Sequence, residues 1–290
     1  MANLKEIRNR ISSVSSTMQI TSAMKMVSAA KLKKAQDAIT AMRPYSDKLT
    51  ELLQSLSASL EGDSGSKFAE NREVKKVLVV AISSNRGLAG AFNSNIVKEA
   101  KLIANSVYAD KEVHFLTIGK KANDILKKSN TIVQNENSIY DDLSFENVET
   151  VAEKVMDLFL KGEYDRVELI YNKFKNAATQ IVTREQFLPI KPLVAEGEEV
   201  ENVALDYIFE PSKEEIVKQL IPKALKTQLF KGIRDSVASE HGARMTAMHK
   251  ATDNATDLRN QLKLTYNKAR QAAITNEILE IVGGAEALNN

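Results

Sequence analysis

The sequence predicts an α/β fold: long N- and C-terminal helices pair as an antiparallel coiled coil, with a small Rossmann-like α/β domain inserted between them. Three observations lead to this prediction: an apolar repeat at the start of the chain, a long helical stretch at its end, and alternating strand and helix patterns in the middle. We expect the first helix over residues 1–60, the α/β domain over 75–210 and the last helix over 211–290.

The first helix is predicted from positions that recur at strictly alternating steps of three and four from Leu4 to Leu60, which are apolar except for Thr21, Lys25, Ser28 and Ser46. Such spacing is a heptad pattern, which is typical of helices that pack along a narrow seam. Pro44 lies inside the pattern and lacks an amide hydrogen, so we expect a kink or a short break there. Residues 61–73 are polar and contain Gly and Ser, which favours a linker.

The middle of the chain is predicted to form the α/β domain. Val77–Ile82 is a continuous apolar, β-branched run, which is typical of a buried parallel strand. The further predicted elements are a helix over 94–107, a strand over 113–118, a helix over 120–128, a helix over 145–160, paired strands over 166–174 and 180–190, an acidic loop over 194–201 and a last strand over 204–209. Alternating strands and helices predict a small sheet covered by helices.

The last helix is predicted to begin at Ser212, because Pro211 precedes it and Glu215 follows three residues later in a capping box. Small or apolar residues at helical steps then predict a narrow seam: Ile233, Val237, Met248, Ala251, Ala255, Leu258, Leu262, Ala269, Ala272 and Leu279. At about 1.5 Å per residue the stretch up to Gly283 is about 110 Å long. A helix of that length must lie on a partner, protrude from the domain, or do both.

Composition narrows the possible functions. The 290 residues are 43% hydrophobic and 27% charged, and the absence of cysteine excludes disulfides and thiolate metal sites. No apolar run approaches the ~18 residues that span a membrane. The net charge of +2 conceals basic helices, +5 over 1–60 and +3 over 212–290, and an acidic middle of −6. The basic residues are spread out and lack interleaved aromatics, so we predict no nucleic-acid partner.

Candidate chemistry is sparse. The loop Arg86-Gly87-Leu88-Ala89-Gly90 follows a strand, which could indicate a phosphate site, but it matches neither established glycine-rich spacing. We interpret it as a structural turn and keep a nucleotide-binding module as the alternative hypothesis. The consecutive Ser239, Glu240 and His241 point in different directions on a helix and cannot form a relay. We therefore predict no catalytic residue, no metal site and no cofactor.

Two helical zones are rich in small residues, over 12–30 and 236–256. Ser, Ala, Gly and Thr at a seam allow two helices to approach closely and leave a smooth outer surface. Two interpretations are open. The helices form only a tightly packed pair, as in a static coiled-coil adapter, or they form a slim shaft that another protein encloses.

Four segments then resemble one family along the whole chain. They are residues 20–32 (ITSAMKMVSAAKL), 83–93 (SSNRGLAGAFN), 239–255 (SEHGARMTAMHKATDNA) and 274–287 (ITNEILEIVGGAEA). These segments are similar to those of the γ subunit of bacterial F-type ATP synthase. The loop departs from the family pattern at Asn85, where Asp is usual, and at Ala89, where bacterial members often have Cys.

The resemblance implies a function without bond chemistry. The chain would be the central rotor stalk of F-type ATP synthase, transmitting torque between the membrane c-ring and the catalytic head of three α and three β subunits during proton-driven ATP synthesis. It would be a non-catalytic subunit whose partners are the α and β subunits, the ε subunit and the c-ring. Its expected location is peripheral, on the cytoplasmic face of the bacterial inner membrane.

The resemblance also implies contact residues. Those expected to meet the catalytic head are Met24, Lys25, Arg244, Arg270, Gln271, Thr275 and Glu277. Those expected to meet the c-ring are Tyr207 and Glu210.

Overall fold

The computed structural model describes residues 4–57, 67–70, 72–190 and 213–289. Contacts divide the chain into two compact units. The paired-helix unit comprises Met1–Ser28 with Arg244–Asn290, and the sheet unit comprises Ala29–Ala243. Several predicted features lie outside the described residues: the acidic loop, the strand over 204–209, the capping Ser212, and the domain boundaries at 60 and 210. The predicted three-part division therefore stays a prediction.

The sheet unit contains five strands in the order β3-β2-β1-β4-β5. The strands are β1 (Lys76–Ile82), β2 (Glu112–Ile118), β3 (Thr131–Asn135), β4 (Arg166–Phe174) and β5 (Gln180–Leu188). Strand β1 is central and pairs in parallel with β2 and β4, whereas β5 runs antiparallel to β4. Because β1 is covered on both faces, its six residues from Val77 to Ile82 are all buried, which explains their continuous apolar run.

Helices cover both faces of this sheet. They are α2 (Phe92–Leu102), α3 (Lys120–Leu126) and α4 (Phe145–Leu160), and a π-helical turn over Ile103–Val107 extends α2. Helices α2 and α3 pack on one face, around the buried Val77 and Val79. Helix α4 packs on the other face with part of the long C-terminal helix. Ser144 caps α4 by accepting a hydrogen bond from the Asn147 amide at 3.4 Å.

The two long helices are α1 (Leu4–Ser57) and α5 (Lys213–Asn289), and the helix assignment of α1 continues through Pro44 without the break that we allowed for. The buried residues described in α1 are Ile7, Thr21, Ser28, Leu32, Ala35, Ile39, Ser46 and Leu49. Every one of them belongs to the predicted three-four repeat, so that repeat is confirmed, including its polar positions.

The narrow seam predicted for α5 is confirmed only in part. Met248 and Ala255 are buried as predicted, but Leu258 is 40% exposed and Leu279 is 63% exposed. Upstream of Arg244 the burial is broad rather than narrow, because this part of α5 packs into the core of the sheet unit. Its contribution to that core is Ile221, Leu225, Leu229 and Ile233.

The strands and helices predicted between residues 77 and 190 are confirmed, and several features of that region were not predicted. Strand β3 (Thr131–Asn135) was not predicted, since it is a short edge strand with mostly exposed, polar residues. The helix predicted over 94–107 begins at Phe92 and ends as the π-helical turn, which apolar periodicity does not reveal.

Candidate partner-binding surface

The paired-helix unit holds α1 and α5 together through polar contacts. Thr21 Oγ1 lies 2.8 Å from Thr252 Oγ1, and Arg8 Nη2 donates a hydrogen bond to the Tyr266 hydroxyl at 2.8 Å. The paired residue numbers rise along α1 as they fall along α5, so the helices of this unit are antiparallel. This arrangement confirms the predicted pairing of the two chain ends within the unit.

Small and soft side chains line the same seam. The hydroxyl of Thr256 lies 3.3 Å from Met18 Sδ, and Arg259 Nη1 lies 3.5 Å from the same sulfur. Ser28 and Ala255 are buried at 3% and 8% exposure. Small or deformable side chains thus contact one another at the seam, where the sequence predicts a small-residue texture.

The end of α5 lies uncovered. Residues 271–285 are exposed throughout, and we call this segment the α5 tip. Its large aliphatic residues are between 48% and 66% exposed: Ile274, Ile278, Leu279, Ile281 and Val282. Ile274, Ile278 and Ile281 follow helical spacing and therefore lie on one face. A contiguous exposed aliphatic face on a helix indicates a surface that binds another protein.

The structure places the contact residues implied by the resemblance in three environments. Arg270 and the tip residues Gln271, Thr275 and Glu277 are exposed on α5. Met24 and Lys25 are half-buried on α1, whereas Arg244 is buried at 7% exposure. Tyr207 and Glu210 lie outside the described residues. The contacts themselves stay predictions.

Sequence reasoning missed three exposed apolar residues that flank Met24 and Lys25. Ile20, Met26 and Val27 are 59%, 65% and 57% exposed on α1. The sequence could have indicated them, because all three are apolar residues that fall outside the three-four repeat and therefore outside the predicted seam. They extend the apolar surface of the paired-helix unit beyond the α5 tip.

The loop between β1 and α2 uses its polar groups within the fold. Ser83 Oγ accepts a hydrogen bond from the Ala122 amide, and the Ser84 amide donates to Asn93 Oδ1, both at 3.0 Å. Asn85 Oδ1 accepts from the Lys120 amide at the start of α3. The loop turns through positive φ at Leu88 (+62°). These bonds support the structural interpretation of the loop.

Helix α5 also fills the place where open α/β sheets bind ligands. That place is the crevice at the carboxyl ends of the strands where strand order reverses, here between β1 and β4. Ala243 of α5 packs against Ala89 and Phe92 beside this crevice. The Ser239 hydroxyl donates to the Asn172 carbonyl at 2.9 Å, directly on β4. A nucleotide would have to displace α5, which argues against the nucleotide-binding hypothesis.

The strongest buried charge network is structural. The carboxylate of Glu168, 3% exposed, accepts hydrogen bonds from Arg184 and from the Tyr108 hydroxyl. Burial, and then the bond to Glu168, raises the pKa of Tyr108. The hydrogen bond to Glu168 raises the pKa of Arg184. These groups join the end of α2 to β4 and β5.

Within the described ranges the chain has neither a metal-binding cluster nor a membrane-spanning helix. Within 4–57, 67–70, 72–190 and 213–289, no group of three or more His, Asp or Glu side chains could hold a metal ion. His249 lies 3.3 Å from Asp253 one turn away on an exposed helical face, which is an ordinary surface pair. None of the described helices is both long and apolar enough to cross a bilayer.

Comparison with known proteins decides the family. The sequence model of a family described as ATP synthase matches residues 3–288. The ATP synthase gamma chain of Flavobacterium johnsoniae is 73% identical to this chain over 289 residues, and the alignment covers 100% of each protein. The chain belongs to the ATP synthase gamma chain family. It is therefore a subunit of the ATP synthase complex with a rotor-stalk role.

Solved structures agree with this family. The central stalk of the Tetrahymena thermophila mitochondrial ATP synthase matches with a TM-score of 0.56 and 25% identity, covering 80% of this chain and 99% of that one. A chain of the Euglena gracilis mitochondrial ATP synthase in rotational state 3 matches with a TM-score of 0.72 and 23% identity, covering 98% and 94%. The latter match shows that the family fold extends over nearly the whole chain.

Proposed function

We propose that the chain transmits torque between the membrane c-ring and the catalytic head of α and β subunits during proton-driven ATP synthesis, and that it is itself non-catalytic. One observation carries this proposal. Helix α5 is a single helix from Lys213 to Asn289 that is built into the sheet core near its start and ends in the exposed aliphatic α5 tip. A helix anchored in a close-packed core transmits strain, because such cores have low compressibility.

The α5 tip is the proposed contact with the catalytic head. Its aliphatic face would be covered by an apolar surface of the head, and its polar neighbours would fix the contact. The residues proposed for this role are Arg270, Gln271, Thr275 and Glu277 on α5, with Met24 and Lys25 on α1 and Arg244 at the start of the α5 part of the paired-helix unit. The basic charge of Lys25 suits an acidic partner segment.

The contact with the membrane sector is proposed at Tyr207 and Glu210. This assignment rests on the family resemblance, together with the solved Tetrahymena central stalk, which is described with its c-ring. The ε subunit is proposed to bind the α/β domain. The location would be peripheral, on the cytoplasmic face of the bacterial inner membrane.

Deletion of residues 274–290 tests the proposal in reconstituted ATP synthase vesicles. The tip is exposed, so we expect the complex to assemble and hydrolyse ATP while ATP-driven proton pumping per ATP hydrolysed falls several-fold. The readouts are acidification of the vesicle lumen and phosphate release. A variant that lacks only residues 286–290 keeps the aliphatic face and should pump normally.

Two results would count against this function. Pumping that is unchanged by the 274–290 deletion would remove the tip from torque transmission. A loss of assembly with normal pumping in the complexes that do form would favour a static adapter instead.

A further inference from the structure

Helix α5 approaches a turn of the sheet unit so closely that a side chain at Gly242 would press on the backbone of the turn. A Cβ atom added at Gly242 would lie 3.0 Å from the Ala177 carbonyl oxygen and 3.2 Å from the Ala177 Cα atom. Those are backbone atoms, so no flexible side chain could swing away, and the turn itself would have to shift by a few tenths of an ångström. Glycine is less favourable than alanine inside a helix. The close approach gives a reason for glycine at this position.

The turn that faces Gly242 is itself held by hydrogen bonds. Asn176 Oδ1 accepts from the amides of Ala178 and Thr179 at 3.0 and 2.8 Å. The Ala177 carbonyl accepts a bond from Gln180 Nε2 at 3.1 Å. These bonds fix the shape of the turn, so Ala177 can retreat from the helix only together with the rest of the turn.

A buried chain of hydrogen bonds lies one helical turn before Gly242. The Ser239 hydroxyl donates to the Asn172 carbonyl on β4 at 2.9 Å, and the Asn172 side-chain amide donates to the Phe92 carbonyl at 3.2 Å. Ser239 is 0% exposed and Asn172 is 1% exposed. Removing one partner of such a pair leaves an unsatisfied buried group, so the bonds resist sliding of α5 over the sheet.

Two apolar contacts complete the attachment. Ala243 packs with Ala89 and Phe92 in a small buried cluster at the β1–α2 loop. Nearer the start of the helix, Gly232 lies beside the ring of Tyr171, where an added Cβ atom would be at van der Waals distance, 3.5 Å, from a ring carbon. The helix is thus attached to three separate segments of the sheet unit.

We propose that these contacts form a rigid joint, in which α5 and the sheet keep one fixed position while torque passes between them. We call Ser239, Gly242 and Ala243, with the groups that they touch, the α5 joint. The inference rests on the proposed torque function and adds to it the residues that carry load between helix and sheet. The opposite arrangement, a hinge at Gly242, would need free space around the glycine, whereas backbone atoms occupy that space.

A disulfide across the joint separates a rigid joint from a hinge. The chain has no native cysteine, so Ala89→Cys with Ala243→Cys introduces the one cysteine pair in the chain. In reconstituted ATP synthase vesicles we expect oxidised and reduced complexes to show the same ATP hydrolysis and ATP-driven proton pumping, within twofold. Each single-cysteine variant controls for oxidation elsewhere. Loss of pumping on oxidation that reduction restores would overturn the proposal.

A glycine comparison tests the same joint without any cross-link. Gly242→Ala should lower the thermal midpoint of the free chain and reduce protons pumped per ATP in the complex at least twofold. Gly283→Ala is the matched control, because Gly283 lies on the same helix with nothing within 4 Å of its virtual Cβ. If the two variants behave alike in both measurements, the joint does not exist.

The outcomes also separate this inference from the proposed function. A wild-type complex that hydrolyses ATP but cannot pump would defeat the torque function, whereas the stability comparison of the two glycine variants in the free chain would still report on the joint.

Discussion

Two stretches of α5 contain similar aliphatic residues in opposite environments. Between Ile221 and Ala243 the leucine and isoleucine side chains are buried, with Leu229 at 1% and Ile233 at 0% exposure. In the α5 tip Ile278 and Ile281 are 54% and 66% exposed. Because composition and helical geometry are alike, the difference comes from what packs against each stretch. The buried stretch stabilises the chain itself, and the exposed stretch is available to a partner.

The largest expected effect comes from truncating a side chain in the buried stretch. Ile233→Ala should lower the free energy of unfolding by about 3–4 kcal/mol, since it removes a fully buried side chain and leaves a cavity. The measurement is urea denaturation of the free chain.

The same truncation in the tip sharpens the comparison. Ile281→Ala should change the free energy of unfolding by less than about 0.5 kcal/mol, because that side chain is exposed. Equal losses of stability in the two variants would show that the tip is covered within the free chain, contrary to the distinction drawn here.

A smaller effect is expected from the buried charges of the sheet unit. Arg184→Met should cost about 2 kcal/mol of folding free energy, because Glu168 would keep only the bond from Tyr108 while remaining buried. Lys33→Met is the control, as it removes the exposed pair with Asp37 and should cost at most about 0.5 kcal/mol. A loss for Arg184→Met no larger than the control would mean that solvent reaches Glu168 freely.

The smallest expected effect depends on pH and concerns Asp235, which is 1% exposed on the buried stretch of α5. Burial raises the pKa of Asp235 above its ordinary value of 3.8, although Arg43, Lys231 and Lys173 oppose that shift. The folded state therefore binds the proton more tightly than the unfolded state. The wild type loses stability as pH rises from the ordinary pKa through the raised one.

Asp235→Asn should accordingly be more stable than the wild type at neutral pH, and the difference should vanish below about pH 4. The denaturation midpoints of both proteins measured from pH 3 to pH 8 check this expectation. Asp257→Asn, at an exposed position of the same helix, is the control. A difference that grows as the pH falls would reverse the sign of the argument.

Much of the fold follows from periodicity. The repeat from Leu4 predicted each buried position described in α1, because a seam between two helices selects residues at three-four spacing. Strand β1 was recognised because it is a continuous apolar run. What could not be predicted depends on tertiary context. The buried Ser239 and Gly242 look like seam residues in the sequence, although they contact the sheet.

Some residues of the candidate surface were selected from the sequence, and others were not. The contact residues on the α5 tip come from the family resemblance and stay predictions. The exposed Ile20, Met26 and Val27 were not selected, since an apolar residue off the seam reads as an ordinary surface residue until its exposure is known. The burial of Arg244 could not be predicted from the sequence either, because a charged residue such as arginine is expected at the surface.

The occupation of the sheet crevice by α5 has a consequence for small-molecule control. Any nucleotide or metabolite that entered between β1 and β4 would compete with a segment of the same polypeptide, which is present at an effective concentration in the millimolar range or above. Such a ligand would have to break the contacts of α5 with β4 and with the β1–α2 loop before it could bind. The domain therefore has the sheet architecture of ligand-binding α/β domains, but a helix of the same chain lies at the position where the ligand would bind.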